Sequence, residues 1–215
     1  MAQYASVIGR EFDRSTVAAL LGDPADLSDR LTDLLRRGIL VERDGSTLAF
    51  THALIRDTAY STLLLRTRRQ LHRRLADHLA EVRPQAVAEI AVHYTEAEDM
   101  AAAFPFLVAA GEKASRAMAL SDAIRFFTTA LENIPADAEP ALVVRAYDGL
   151  GVAYSLLPDL TKSEATFQRL AENAGRPSAK VTALNRLALT AAMLGGDLAA
   201  AHRYLEDAYC VAKEA

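Results

Sequence analysis

Regularly spaced small and aromatic residues in the C-terminal part of the chain constrain its fold more than any other feature. Within residues 104–137 these positions alternate on two successive segments, Leu107, Gly111 and Ala114 followed by Ala123, Phe127 and Ala130, before Pro135. The spacing of three to four residues is that of one face of a helix. A small residue on one helix leaves room for a large one on the other. The pattern therefore predicts a pair of interlocked antiparallel helices that ends at Pro135.

Two later segments repeat the pattern. The second begins near Asp137 and contains Tyr147, Leu150, Gly151, Tyr154 and Phe167, with Ser163 at the usual small position; the third contains Leu184, Ala188, Ala191, Ala200, Tyr204 and Ala208, with a turn at Gly195-Gly196-Asp197. Ahead of them, 90–98 and 100–109 are interpreted as an incomplete pair, with Ala102, Phe106 and Ala109 on its second helix. The series resembles tetratricopeptide repeats, whose unit is about 34 residues. Such pairs stack into an α-α superhelix with a groove for a protein or peptide partner. No polar capping segment follows Ala215, so we expect the natural array to continue.

The first 64 residues have a different pattern. It predicts a helix over 15–21, with Ser15 as N-cap and a stop at Gly22-Asp23-Pro24, and a second helix over about 25–37. Two strands follow, over 39–43 and 47–50, joined by an Asp44-Gly45-Ser46 turn. A third helix runs from His52 to about Leu64. Two helices, a β-hairpin and a third helix make a winged-helix-like head.

An amphipathic stretch links the head to the repeats. Its apolar stripe is Leu64, Leu71, Leu75, Leu79 and Val82, and it ends at Arg83-Pro84. Four arginines lie largely off the stripe, Arg66, Arg69, Arg73 and Arg74. The predicted fold class is mainly α, with a winged-helix-like domain over 1–64, a connecting helix over 65–83 and tetratricopeptide-like repeats over 84–215.

Composition excludes several classes of function. The net charge of −4 argues against a general nucleic-acid or membrane binder, and no apolar run is long enough for a transmembrane helix. The chain has one cysteine, Cys210, expected in a helix core, and no secretory leader pattern, so we expect a cytoplasmic protein. It has no phosphate-loop, G-x-G-x-x-G or G-x-S-x-G motif. His72 and His78 lie on different faces of their helix and do not predict a metal site. We expect no enzyme activity, metal or cofactor in this chain alone.

Four segments carry a more specific resemblance. In order they are VIGREFD (7–13), GILVERDG (38–45), LAFTHALIRDTAYSTLL (48–64) and RRQLHRRLADHL (68–79). They resemble the region that follows the nucleotide-binding domain in bacterial STAND-type signalling ATPases, including LuxR-type transcriptional regulators of the maltose-regulator kind and cyclase-linked ATPases. The resemblance implies that a P-loop domain, which binds ATP or ADP, precedes this region in the whole protein. It further implies that the winged helix clamps that domain and that the repeats sense an inducer or partner.

His52 is the candidate nucleotide-phosphate sensor. His52-Ala53 resembles the Met-His-Asp motif of related immune-receptor ATPases, whose histidine contacts the ADP phosphate; Thr51 replaces the Met and Ala53 the Asp. In the helix that follows, Leu54, Ile55, Ala59 and Leu63 are predicted to form a buried face. The plainer interpretation of the segment is that the His52 ring makes a local hydrogen bond at the helix N-terminus and that Arg56 and Asp57 point to solvent.

The four arginines at 66, 69, 73 and 74 allow two interpretations. The preferred one is a solvated face or a contact with the missing nucleotide-binding domain. The alternative is a polyanion site, which would make the chain a free-standing winged-helix DNA-binding regulator with a partner-binding repeat tail. Because the family binds DNA through a separate domain, we expect no DNA binding by this segment.

Overall fold

A computed structural model describes residues 1–21, 27–44, 47–193 and 196–215. The fold is mainly helical with one small antiparallel sheet, as the sequence predicts at this level. Contacts divide the chain into two compact units, Met1–Asp99 (unit 1) and Met100–Ala215 (unit 2). Within the described ranges, no helix is both long and apolar enough to cross a bilayer.

Unit 1 contains the sheet and six helices of the described residues. In chain order its elements are α1 (Ala2–Ile8), β1 (Glu11–Asp13), α2 (Arg14–Leu21), α3 (Leu27–Arg36), β2 (Leu40–Glu42), β3 (Thr47–Phe50), α4 (Ala53–Ser61), α5 (Leu65–Val82) and α6 (Val87–Glu96).

The sheet has β3 in its centre, with order β1-β3-β2 and both pairings antiparallel. Leu48, Ala49 and Phe50 of β3 are completely buried, as expected for a central strand covered on both faces. The rings of Phe12 and Phe50 meet edge to face, 5.8 Å between centroids. These residues are the centre of the unit 1 core, to which α1, α2 and α3 contribute apolar side chains.

The two predicted hairpin strands are confirmed, whereas α1 and β1 are absent from the sequence prediction. Ser15 lies inside α2, so its prediction as the N-cap is wrong. The predicted stop at residues 22–24 and the turn residues Gly45 and Ser46 lie outside the described residues.

The connecting stretch is a single helix, α5, that ends at Val82 as predicted. Helix α4 differs from its prediction because Leu54 is 76% exposed and no residue of α4 is fully buried. Ile55 is partly buried against the core and Leu63, after the helix, is buried. Leu54 and Ile55 are neighbours in the first turn of α4, and only Ile55 packs against that core.

Unit 2 is a series of antiparallel-paired helices in which each described helix packs on the next. They are α7 (Met100–Arg116), α8 (Leu120–Glu132), α9 (Pro140–Leu156), α10 (Leu160–Glu172), α11 (Pro177–Met193) and α12 (Leu198–Glu214). The first helices of the pairs begin 40 and then 37 residues apart, so the predicted period of about 34 is wrong. Residues 100–109 belong to α7, which also contradicts the predicted incomplete pair. Cys210 is exposed on α12, so its expected place in a helix core is wrong.

Aromatic rings on glycines hold the first two pairs together. The Phe127 ring of α8 lies on Gly111 of α7, where an added Cβ would be 2.6 Å from a ring carbon, and on Gly149 of α9. The Phe167 ring of α10 lies in the same way on Gly151. Gly111 and Gly151 are 40 residues apart, as are Phe127 and Phe167, so one packing device recurs at the observed period.

Ion pairs join the first helices of successive pairs. Arg145 of α9 donates two hydrogen bonds to Glu112 of α7, both of 2.7 Å. Arg186 of α11 donates two to Asp148 of α9, of 2.8 and 3.1 Å. A planar guanidinium facing a carboxylate restricts both position and orientation, so these pairs help fix how the first helices align.

Candidate functional site

His52 lies between the end of the central strand and the first turn of α4. Its backbone is extended (φ −135°, ψ 141°), and it occupies the N-cap position without a side-chain capping bond. The preceding Thr51 fixes this position because its hydroxyl donates to the Gly38 carbonyl (2.7 Å) and its amide to the Ile39 carbonyl (3.1 Å). The imidazole is exposed, next to amide groups of a helix N-terminus that attract anions.

Arg56 anchors α4 to α1. Its Nε donates to the Ser6 carbonyl (2.9 Å), and its guanidinium pairs with Asp57 (3.0 Å) and lies 5.0 Å from the Tyr60 ring centre. The prediction that Arg56 points freely to solvent is therefore wrong, while Asp57 is exposed as predicted.

The arginine face of α5, defined as Arg66, Arg69, Arg73 and Arg74, is half neutralised within unit 1. Arg69 pairs with Glu98, and Arg73 pairs with Asp99 at 2.7 Å. Arg66 and Arg74 are exposed, and neither has an ion pair with any residue that the structure describes. His52 has no hydrogen bond or ion pair with this face in the described contacts, so His52 and the arginines remain separate features.

Three further side chains, two of them buried, form a chain of hydrogen bonds that the sequence analysis missed. The Tyr60 hydroxyl of α4 lies 2.9 Å from His72 Nε2 of α5, and His72 Nδ1 lies 3.0 Å from His93 Nδ1 of α6. Both histidines are buried, with exposures of 4% and 7%. We call Tyr60, His72 and His93 the histidine relay. It connects α4, α5 and α6 by hydrogen bonds.

The histidine relay is built for neutral rings. Burial lowers the pKa of His72 to about 4, with smaller contributions from the charges of His93, Arg56 and Arg68. Burial also lowers the pKa of His93 to about 4. Between two neutral rings, one Nδ1 carries the hydrogen and the other accepts it, so the 3.0 Å contact is a hydrogen bond at neutral pH.

Arg68 packs against Tyr60, which is one end of the histidine relay. Its guanidinium lies 4.2 Å from the centre of the Tyr60 ring and donates to the Tyr60 carbonyl (3.3 Å). Burial raises the pKa of the Tyr60 hydroxyl, Glu96 raises it further, and Arg68 and Arg56 partly oppose this. The phenol therefore stays protonated and can act as donor or acceptor toward His72.

The sequence carried a weak signal for the relay. His72 directly follows Leu71 of the apolar stripe, which places it at the border of the buried face, but its partner His93 is 21 residues away on another helix. Pairing across helices depends on how α5 and α6 align, which a single-helix pattern does not contain. Among the described residues, no group of three or more His, Cys, Asp or Glu is placed to hold a metal ion.

Comparisons with known proteins give one informative relative. No protein-family model matches the chain. An uncharacterized protein of Rhizobium meliloti is 30% identical over 164 residues, which cover 70% of this chain and 16% of the relative. The chain thus spans about a sixth of the relative that it matches.

Proposed function

We propose that this chain is the regulatory and protein-interaction region of a STAND-type signalling ATPase or transcriptional regulator. Unit 1 is its winged-helix-like clamp on a nucleotide-binding domain, and unit 2 is a tetratricopeptide-like scaffold that senses an inducer or protein partner. The chain itself has no catalytic activity in this proposal; ATP or ADP belongs to the nucleotide-binding domain, and the protein acts in the cytoplasm.

The observation that carries the scaffold assignment is the recurring aromatic-on-glycine packing. Phe127 on Gly111 and Phe167 on Gly151 repeat at one interval in successive pairs. A helix pair of this kind cannot bury its apolar face alone, so neighbouring pairs stack and leave side-chain surfaces for a partner. The period of 40 and 37 residues is longer than the tetratricopeptide norm, so we propose a variant with a longer repeat unit.

The arginine face of α5 supports a protein partner over DNA. Glu98 and Asp99 already neutralise Arg69 and Arg73, which leaves Arg66 and Arg74 for an outside contact. Two free cations suit a pair of carboxylates on a protein surface, whereas DNA affinity grows with the number of phosphates neutralised. The length of the Rhizobium meliloti relative is consistent with a region that works inside a much larger protein.

The proposal is tested first by reading the coding sequence upstream of the Met1 codon and then with the whole protein. An upstream P-loop domain is expected, and ADP is expected to co-purify with that protein. In His52→Ala, loss of a phosphate contact should increase the ADP dissociation rate about tenfold, corresponding to a hydrogen bond to a charged group. The matched control is His202→Ala, whose exposed histidine lies on α12 of unit 2.

An unchanged ADP release rate in His52→Ala would remove His52 from the nucleotide site. The DNA alternative is measured by titrating labelled duplex DNA into the chain at 50 and 200 mM salt. We expect no binding with a steep salt dependence; a loss of affinity of about 10³-fold over that range would favour the DNA-binding alternative.

A further inference from the structure

Unit 2 contains a cavity of about 500 Å³ at one end of α10, between the first halves of α9 and α11. Leu170 and Ala179 are its buried floor, and Val144 and Tyr147 of α9 form one wall. The loops that follow α8 and α10 form its rim, including Ile134, which is 39% exposed. This volume is in the range of small-molecule sites, and a mostly apolar wall with few polar groups is their usual composition.

The charged side chains among the described lining residues are all positive. Arg145 and Arg176 both line the cavity, and among its described lining residues there is no Asp or Glu. Arg145 is already satisfied by Glu112 through two hydrogen bonds and is further compensated by Glu139. Arg176 is exposed and has no ion pair with any described residue. Arg176 is therefore the cation available to a ligand.

The first turn of α11 adds to this positive end. Ser178 and Ala179 of that turn line the cavity directly after Arg176. The N-terminus of a 17-residue helix carries a partial positive charge, which favours an anion near Arg176. Asn173 lies on the same rim and can donate or accept a further hydrogen bond.

We propose that this cavity binds a small monocarboxylate with an apolar body. The carboxylate lies against Arg176 and the first turn of α11, and the hydrocarbon part fills the space above Leu170 between Val144 and Tyr147. One free guanidinium matches one carboxylate in a two-pronged contact and compensates its single negative charge, whereas a phosphate dianion would keep a second charge without a free cation in the lining. This inference deepens the proposed sensing role of unit 2, on which its biological meaning rests.

The position of the cavity would couple its occupant to repeat geometry. Its walls come from two first helices, α9 and α11, that belong to different pairs, and α10 lies between them. A ligand in contact with both helices favours one distance between the pairs. Its binding energy can then be used to select one arrangement of the scaffold.

Isothermal titration of the complete chain with 4-phenylbutanoate, octanoate and indole-3-acetate tests the proposal. At least one acid is expected to bind, and its neutral amide to bind about tenfold more weakly or worse because it lacks the ion pair. Arg176→Gln should weaken the acid about tenfold and leave the amide unchanged. Ala141→Trp, at an exposed lining position, should fill the space and weaken both.

Arg203→Gln is the matched control, because Arg203 is an exposed arginine of unit 2 outside the cavity lining. Circular dichroism checks that each variant is folded. The proposal is overturned if none of the acids binds, if acid and amide bind equally, if Arg176→Gln leaves acid affinity unchanged, or if inorganic phosphate binds as tightly as the acids. The ADP-release assay on His52 uses none of these acids as ligands and reports on unit 1. A failure of the proposed function is therefore detected separately from a failure of this inference.

Discussion

Acid should destabilise unit 1 through the histidine relay between pH 7 and pH 5. His72 and His93 are neutral inside the fold, each with its pKa lowered from 6.5 to about 4. In the unfolded chain both rings recover the ordinary value and bind protons more readily. The unfolded state therefore gains protons between pH 6.5 and 4, and stability rises with pH across this window and is lost as pH falls through it.

The size of the effect follows from the two shifts. The lowering from 6.5 to about 4 corresponds to about 3 kcal/mol per ring once the pH is below 4. At pH 5 about 2 kcal/mol per ring is already lost, or about 3–4 kcal/mol for the pair relative to pH 7. That is a large share of the 5–15 kcal/mol by which a typical domain is stable.

The assay is urea unfolding by circular dichroism at pH 7, 6 and 5, with hydrogen exchange of α5 and α6 to assign the loss to unit 1. The double variant His72→Phe, His93→Leu removes both buried ionisable rings and should flatten the profile over this range. His202→Gln, which changes an exposed histidine of unit 2, should keep the wild-type slope. A wild-type slope equal to that of the double variant would refute the assignment of acid sensitivity to the relay.

Two further predictions concern packing and a partly buried hydrogen bond. Gly151→Ala should destabilise unit 2 by about 1–3 kcal/mol, because the new Cβ meets the Phe167 ring. Gly175→Ala is the control and should have little effect, because a Cβ there has no neighbour within 4 Å. Urea midpoints measure both variants, and equal midpoints would contradict the packing argument. Tyr94→Phe should lower the stability of unit 1 by about 1 kcal/mol at pH 7, because it removes the 2.7 Å hydrogen bond to Asp77. Urea unfolding measures this change as well. An unchanged stability would mean that solvent replaces the bond.

Local sequence patterns predicted the helices and strands of this protein better than they predicted which elements pack together. The helical spacing of apolar residues predicted α5 and its end at Val82, because both depend on neighbours within a few residues. The strands β2 and β3 followed from a short local change of period. The short strand β1 has mostly charged residues around Phe12, and its ladder comes entirely from β3, more than 30 residues away. No local signal predicts such a strand.

Candidate residues divide in the same way. The sequence singled out His52 and the arginine face as candidates. Both lie at the surface, where a charged or polar side chain needs no specific partner. It did not identify that Glu98 and Asp99 neutralise half of that face, or that Leu54 is exposed. Those facts depend on which helix lies opposite.

The amino-acid pattern by itself thus determined that the chain is mainly helical, that a small sheet interrupts its first part and that small and aromatic residues recur in the second. Tertiary structure decided the period of the pairs, the His72–His93 contact and the cavity beside Arg176. The physical reason is that helical periodicity is a property of about a dozen consecutive residues, whereas buried contacts and cavities require the alignment of helices that are far apart in the chain.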